Sequence, residues 1–193
     1  MKISIITCVL NSSKTIKDTI KSIQNQTYKD IEHIIIDGES TDDTLEVIEK
    51  HKDNNLSIFS SKDRGIYYAI NKGIKLSSGN IIGILHSDDF YDNSNVILDV
   101  VNTFNNNNID LVYGDLEYVS KKLPFKKIRS WKAGEFYENN LKKGWMPPHP
   151  TVFVKKNLFT KIGEYNTNYK ISSDYDFLIR ALSNKGVKKK YIK

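Results

Sequence analysis

Cysteine, proline and long apolar runs are scarce in this chain of 193 residues. The single cysteine, Cys8, has no second thiol to pair with, so an internal disulfide is excluded and a reducing compartment is expected. No apolar run approaches the roughly 20 residues that cross a bilayer, and Met1-Lys2-Ile3-Ser4 reads as the opening of a strand and not as a secretory leader. A cytoplasmic protein is the expectation. Also missing are G-x-G-x-x-G and G-K-[ST] after the first strand, so no glycine-rich turn is there to cradle a phosphate through backbone amides. Any phosphate must be neutralised by other means. What is present is a hydrophobic content of 39%, enough for the core of one domain over residues 1–193.

The net charge of +6 conceals two unlike halves. Residues 1–119 carry 11 Lys+Arg against 18 Asp+Glu, and residues 120–193 carry 18 against 5. A basic half can meet nucleic acid, an anionic membrane face or a phosphate-bearing substrate. Lys121, Lys122, Lys126, Lys127, Arg129 and Lys132 alternate with Phe125 and Trp131, a pattern compatible with peripheral contact at a membrane surface or with a merely solvated lysine face. Nucleic acid is not expected as a partner, since the acidic half would repel its backbone.

The most informative stretch is Ile81-Ile82-Gly83-Ile84-Leu85-His86-Ser87-Asp88-Asp89, an apolar run that ends in two acids. It reads as a buried strand that delivers carboxylates to a sheet edge. In an open α/β sheet the carboxyl ends of the strands line the ligand crevice, and hard oxygen donors there suit Mg²⁺ or Mn²⁺ shared with the phosphates of a nucleotide diphosphate. The alternative is a polar turn before a helix running to about Phe104, capped by Asp92, Asn93 or Ser94. Other segments follow the same plan. Ile3 to Leu10 is a strand, and a helix with Ile16, Ile20 and Ile23 on one face comes after it. Glu32 to Ile36 is a strand ending at Asp37, a residue placed to accept a hydrogen bond from a nucleobase N–H, and Ser40 to Asp43 reads as a capping box. Leu56 to Phe59 is a third strand, ending near Asp63 and Arg64, and Asp110 to Asp115 reads as another.

Taken together, Ser4-Ile5-Ile6-Thr7 with Asn11, Gln26-Thr27-Tyr28, Asp37-Gly38-Glu39-Ser40-Thr41-Asp42, Asp63-Arg64-Gly65-Ile66-Tyr67, Ala69-Ile70-Asn71-Lys72-Gly73 and Ser87-Asp88-Asp89 resemble the family two glycosyltransferases. The resemblance implies the GT-A fold, a Rossmann-like sandwich whose mixed, mostly parallel central sheet is flanked by helices. It also implies a nucleotide-sugar donor, usually a uridine diphosphate sugar, and a metal held at the D-x-D-type segment. Here Asp89 stands as metal ligand, and Asp88 stands near the ribose or a metal-bound water; Ser87 replaces the first acid. Thr7 and Val9 would lie near the base, with Asn11, Asp37, Asp63 and Arg64 around the nucleotide. Residues 1–92 would form the donor half and 93–193 the acceptor half. Met146 to Phe153 is similar to the segment under the acceptor site, which places His149 and Trp145 near the acceptor or the diphosphate; His149 can equally be structural.

Ile171 to Arg180 resembles the family's E-D motif at a helix start, so Asp174 aligns with the catalytic base, and Ser173 replaces the acid before it. The alternative for Asp174 is an N-cap. Inverting transfer needs one such carboxylate to take the acceptor proton opposite the leaving diphosphate. The implied activity is hexosyl or N-acetylhexosaminyl transfer to a saccharide or lipid-linked acceptor in cell-surface polysaccharide synthesis of the colanic acid or exopolysaccharide type. The enzyme would work at the inner membrane face. Relatives run on beyond the helix of Arg180, and an alternative is a non-catalytic or truncated nucleotide-sugar-binding domain.

Overall fold

A computed structural model describes residues 1–106, 108–121 and 124–193, side chains included except that of Asn106. Lys122 of the basic run therefore lies outside the described residues. The first half alternates strand and helix without interruption: β1 Ile3–Val9, α1 Ile16–Gln24, β2 Ile31–Asp37, α2 Thr44–His51, β3 Leu56–Ser60, α3 Ile66–Leu76 and β4 Ile81–Ile84. β1, β2 and β4 are nearly continuous apolar runs because helices cover both faces of a parallel sheet, whereas β3, at the sheet edge, is largely exposed. The helices alternate with them because each buries one stripe, such as Ile16, Thr19, Ile20 and Ile23 of α1.

The second half is less regular. It holds α4 Val96–Asn106, β5 Leu111–Tyr113, β6 Leu116–Val119, β7 Lys127–Trp131, α5 Glu138–Leu141, a 3₁₀ turn His149–Thr151, β8 Phe153–Lys155, α6 Asn157–Ile162, α7 Ser173–Ser183 and β9 Lys189–Tyr191. Among the described residues the main sheet has seven strands in the order β3-β2-β1-β4-β8-β5-β9. Only β8 runs against the others, pairing antiparallel with both β4 and β5. Its start therefore lies where its parallel neighbours end, so the turn containing His149 reaches the same edge as Asp88 and Asp89. β6 and β7 make a separate two-stranded ribbon.

Successive residues face opposite layers. Ile6, Ile34, Ile36, Ile82 and Ile84 pack with α3 and α7, whereas Ile3, Ile5, Ile81 and Leu85 pack with Val100, Val101 and Phe104 of α4. Fully burying each such side chain is worth about 1.5–3 kcal/mol. Gly83 is required by a close approach: a Cβ there would come 2.5 Å from the Phe153 ring of β8.

Three sequence-derived caps are corrected. At α2 the Ser40–Asp43 capping box does not form; the Asp42 carboxylate accepts the Thr44 N–H at 3.1 Å and Ser40 turns to Asp37 instead. At α4 the Ile97 N–H goes to Gln26 Oε1 at 3.0 Å, so a residue following α1 does the work expected of Asp92, Asn93 or Ser94. At α7 the N-cap position is Ser172, with φ 67°, and Asp174 is the second helical residue and not the cap.

Candidate active site

The carboxyl edge of the sheet collects the acids. After β4 the chain turns at His86 to Asp89, closed by the Asp89 N–H donating to His86 O at 3.1 Å. Thr19 of α1 pins this turn by donating to Asp89 O at 2.8 Å, and Ser87 is hydrogen-bonded to Ser12 at 2.9 Å. Asp88 is exposed and Asp89 half-buried. Burial pushes the Asp89 carboxyl up; His86 opposes this and the Asp88 charge adds to it. Two neighbouring carboxylates, one of them desolvated, suit a divalent cation that would offset that penalty. Among the described residues no set of three or more His, Cys, Asp or Glu side chains converges as a metal cage. The donor set therefore fits Mg²⁺ or Mn²⁺ only in the manner typical of nucleotide sites, with one or two carboxylates and the remaining positions left to phosphate and water. Beside it lies an open pocket of about 500 Å³ lined by Asn11, Ser12, Lys14, Asp42, Ser87 and Asp88.

The other donor-side candidates differ in their surroundings. Thr7 and Val9 are buried, and Thr7 Oγ1 shares a hydrogen bond of 3.0 Å with His33 Nε2 inside the sheet. Asp37 is fully buried and saturated by its own surroundings: Oδ1 accepts from Ser40 Oγ at 2.5 Å, Oδ2 from Ser60 Oγ at 2.6 Å, and both from the Ser40 N–H. Asn11, at φ 51°, accepts the Thr41 N–H and so ties the loop after β1 to the loop after β2. Asp63 differs, because its Oδ2 is buried without a hydrogen-bond partner. Burial pushes its carboxyl up, with Lys72 opposing and Asp37 adding. Arg64, next to it, is exposed. Burial and the Asp63 charge hold the Cys8 thiol at about 12, which makes it an inert thiol.

Asp174 stands in the first turn of α7. The Tyr67 hydroxyl of α3 donates to Asp174 Oδ1 at 3.1 Å. Burial pushes the Tyr67 phenol up, the Asp174 charge and hydrogen bond add to it, and the N–H groups of Ser173 and Asp174 oppose it. Tyr67 thus sits at the positive end of α7 and holds one carboxylate oxygen. Ser173 Oγ beside it is buried with no hydrogen-bond partner. Tyr165 lies parallel to Tyr67 with ring centroids 6.2 Å apart, and Asn71 clamps its backbone from both directions at 2.8 and 3.0 Å.

His149 lies between Tyr165 and His86. It is buried, its Nε2 is hydrogen-bonded to the Tyr165 hydroxyl at 2.8 Å, and its ring lies 5.9 Å from that of His86. Burial, reinforced by His86 and opposed by Asp174, pulls His149 down to about 4, so it is neutral at pH 7. Its place is that of a wall packed under the crevice. Trp145 is likewise committed to the structure, donating its indole N–H to Ala133 O at 3.0 Å and packing against Tyr113 and Phe136.

A chain of neighbours thus links Asp89 to Asp174: the charge of His86 acts on Asp89, the His86 ring lies 5.9 Å from that of His149, and the charge of Asp174 acts on His149. Sequence reasoning assigned its two ends and missed His86, Tyr67, Tyr165 and Asn71. One signal for two of these was available: Tyr67 and Asn71 are four apart on α3, so they share a face with the buried Ile70 and Ile74, where polar groups need partners.

The profile of the family described as "Glycosyl transferase family 2" matches residues 4–166. A PGL/p-HBAD biosynthesis glycosyltransferase of Mycobacterium bovis is 32% identical over 193 residues, covering 98% of this chain and 73% of its own. Among solved structures, S. aureus TarS 1-349 matches with a TM-score of 0.82 at 20% identity, over 100% of this chain and 58% of that one; it has also been solved with UDP-GlcNAc. The mannosyltransferase PcManGT of Pyrobaculum calidifontis, in complex with GDP-Man and Mn²⁺, matches with a TM-score of 0.74 at 18% identity, over 99% of this chain and 54% of that one. The chain thus spans little more than half of these two structures, and at such identities the likeness is one of fold.

Proposed function

The chain belongs to glycosyl transferase family 2 and has the GT-A fold, and on that premise we propose that it moves a sugar from a nucleotide diphosphate to a saccharide or lipid-linked acceptor with inversion at the anomeric carbon. The observation that supports this reading is the chain of neighbours from Asp89 through His86 and His149 to Asp174. A single displacement needs a leaving-group site and a base on opposite faces of the sugar, the roles given in this reading to Asp89 and Asp174.

Asp174 is the base. Tyr67 occupies Oδ1, which leaves Oδ2 to take the acceptor hydroxyl proton as the new glycosidic bond forms and the bond to the diphosphate breaks. Asp89, aided by Asp88, would hold Mn²⁺ or Mg²⁺. When bound, that cation would act as a Lewis acid on the charge of the leaving group. Asp63, whose buried Oδ2 has no hydrogen-bond partner, serves the nucleotide in this reading, together with its exposed neighbour Arg64. Asp37 reaches the nucleobase once Ser40 and Ser60 yield an oxygen, and buried Thr7 and Val9 support that floor from below. TarS with UDP-GlcNAc and PcManGT with GDP-Man support a nucleotide-sugar donor. A uridine donor carrying a hexose or N-acetylhexosamine, used in cell-surface polysaccharide synthesis at the cytoplasmic membrane face, is the reading adopted here.

The test is release of UDP from UDP-GlcNAc and UDP-glucose in the presence of Mn²⁺. Water stands in for the acceptor, so the reaction is slow but measurable. Asp174→Asn should reduce the rate by about a hundredfold or more, the usual contribution of a positioned base. A variant as active as the wild type would remove Asp174 from the role.

A further inference from the structure

The β6–β7 ribbon is joined to the rest of the molecule at its roots but hydrogen-bonded, among the described residues, to no strand of the main sheet. From Leu116 to Lys132 it carries five Lys and one Arg against a single acid, Glu117. Lys127 pairs with that acid, and Lys132 pairs with Asp115 at 2.9 Å. Among the described residues, Lys121, Lys126 and Arg129 form no ion pair; Arg129 lies 5.6 Å above the Tyr118 ring. The register shifts between Tyr118, which faces Arg129, and Val119, which faces Lys127, so Ile128 is the extra residue of a bulge. Ile128 is 71% exposed and Tyr118 43%. The bulge thus turns one apolar side chain outward among the cations.

We propose that this ribbon is a membrane-docking surface that takes the headgroups of anionic phospholipids, with Lys121, Lys126 and Arg129 on the phosphates and Ile128 in the interfacial layer. Cations with an apolar side chain among them match the two components of such an interface, charge and acyl boundary. Nucleic acid would use the cations but would gain nothing from Ile128. The ribbon is also tied to the crevice: Phe125 stacks on Phe90 at 5.0 Å, and Phe90 follows Asp89 directly. Docking there would set the Asp88–Asp89 turn beside the bilayer, where a lipid-linked acceptor presents its sugar. Only this last step rests on the transferase reading; lipid binding is measured without turnover.

The experiment is co-sedimentation with vesicles of phosphatidylcholine alone and of phosphatidylcholine with 30% phosphatidylglycerol, at 0.1 and 0.5 M salt. Binding is expected on the anionic vesicles, to be weakened at high salt, and to fall at least about tenfold when Lys121, Lys126 and Arg129 are all changed to Glu. Ile128→Ser should lower it severalfold at either salt concentration. UDP release and melting temperature, expected to be unchanged in both variants, show that the fold is intact. Equal binding to both vesicle types, no binding to either, or full binding by the triple variant would overturn the proposal. So would tighter binding to a DNA duplex that is indifferent to Ile128→Ser.

Discussion

Acidification from pH 7 to pH 5 is expected to destabilise the fold through two imidazoles that burial keeps neutral. His33 is 3% exposed within the sheet, and burial, partly opposed by the charge of Asp53, pulls it down to about 4; His149 behaves alike. An unfolded histidine titrates near 6.5, so its folded-state value is depressed and the unfolded chain takes up protons first as pH falls. The stability from this source is therefore present above about pH 6.5 and is lost as pH falls toward 4. Between pH 7 and 5 the loss is about 2 kcal/mol for each ring, or about 4 kcal/mol for the pair, against a typical total of about 5–15 kcal/mol. Asp63 and Asp89 act with the opposite sign, because their raised carboxyls bind protons more readily when folded, but they do so nearer the carboxylate range. Glu32, held down to about 2 by hydrogen bonds from Ser4, Ser78 and Lys2 despite its burial, adds a further loss only below about pH 4.5. Urea unfolding followed by the fluorescence of Trp131 and Trp145 at pH 7, 6 and 5 measures the slope. His33→Gln should make it shallower by about half. A free energy independent of pH over this window, or a slope as steep in the variant as in the wild type, would refute the reasoning.

Two further outcomes follow from the packing. Tyr67→Phe removes the hydroxyl that holds Asp174 Oδ1 and leaves the ring against Tyr165, so kcat for UDP release should fall about 10- to 100-fold with little change in melting temperature; a full kcat would show that Asp174 needs no such support. Gly83→Ala drives a methyl to 2.5 Å from the Phe153 ring between β4 and β8, which should cost about 1–3 kcal/mol in urea unfolding, and an unchanged midpoint would contradict the packing described.

The first half of the chain was readable because parallel strands covered on both faces leave contiguous apolar runs, and β1, β2 and β4 stand out for that reason. The ribbon was not. Glu117, Tyr118, Lys127, Ile128 and Arg129 are all exposed, so no alternation distinguishes a strand from a loop. β8 has only three residues, and nothing in Phe153-Val154-Lys155 announces that it runs against its neighbours. The cap of α4 was not readable because its partner, Gln26, is 71 residues away from Ile97. The same contrast holds at the site. Asp88 and Asp89 could be placed because a strand end defines their position, and Asp174 because its surroundings resemble a known motif. Asn71 and Tyr165, 94 residues apart, acquire their roles only when the chain brings α3 against the segment before α7.

In the proposed mechanism two carboxylates divide the labour, Asp89 for the donor and Asp174 for the acceptor proton. Calorimetric titration of UDP in Mn²⁺ and in chelator, on the wild type, Asp89→Asn and Asp174→Asn, separates the two roles. Metal-dependent UDP binding is expected to be retained in Asp174→Asn and lost in Asp89→Asn. Binding unaffected by chelator and by Asp89→Asn, or lost equally in both variants, would contradict this division.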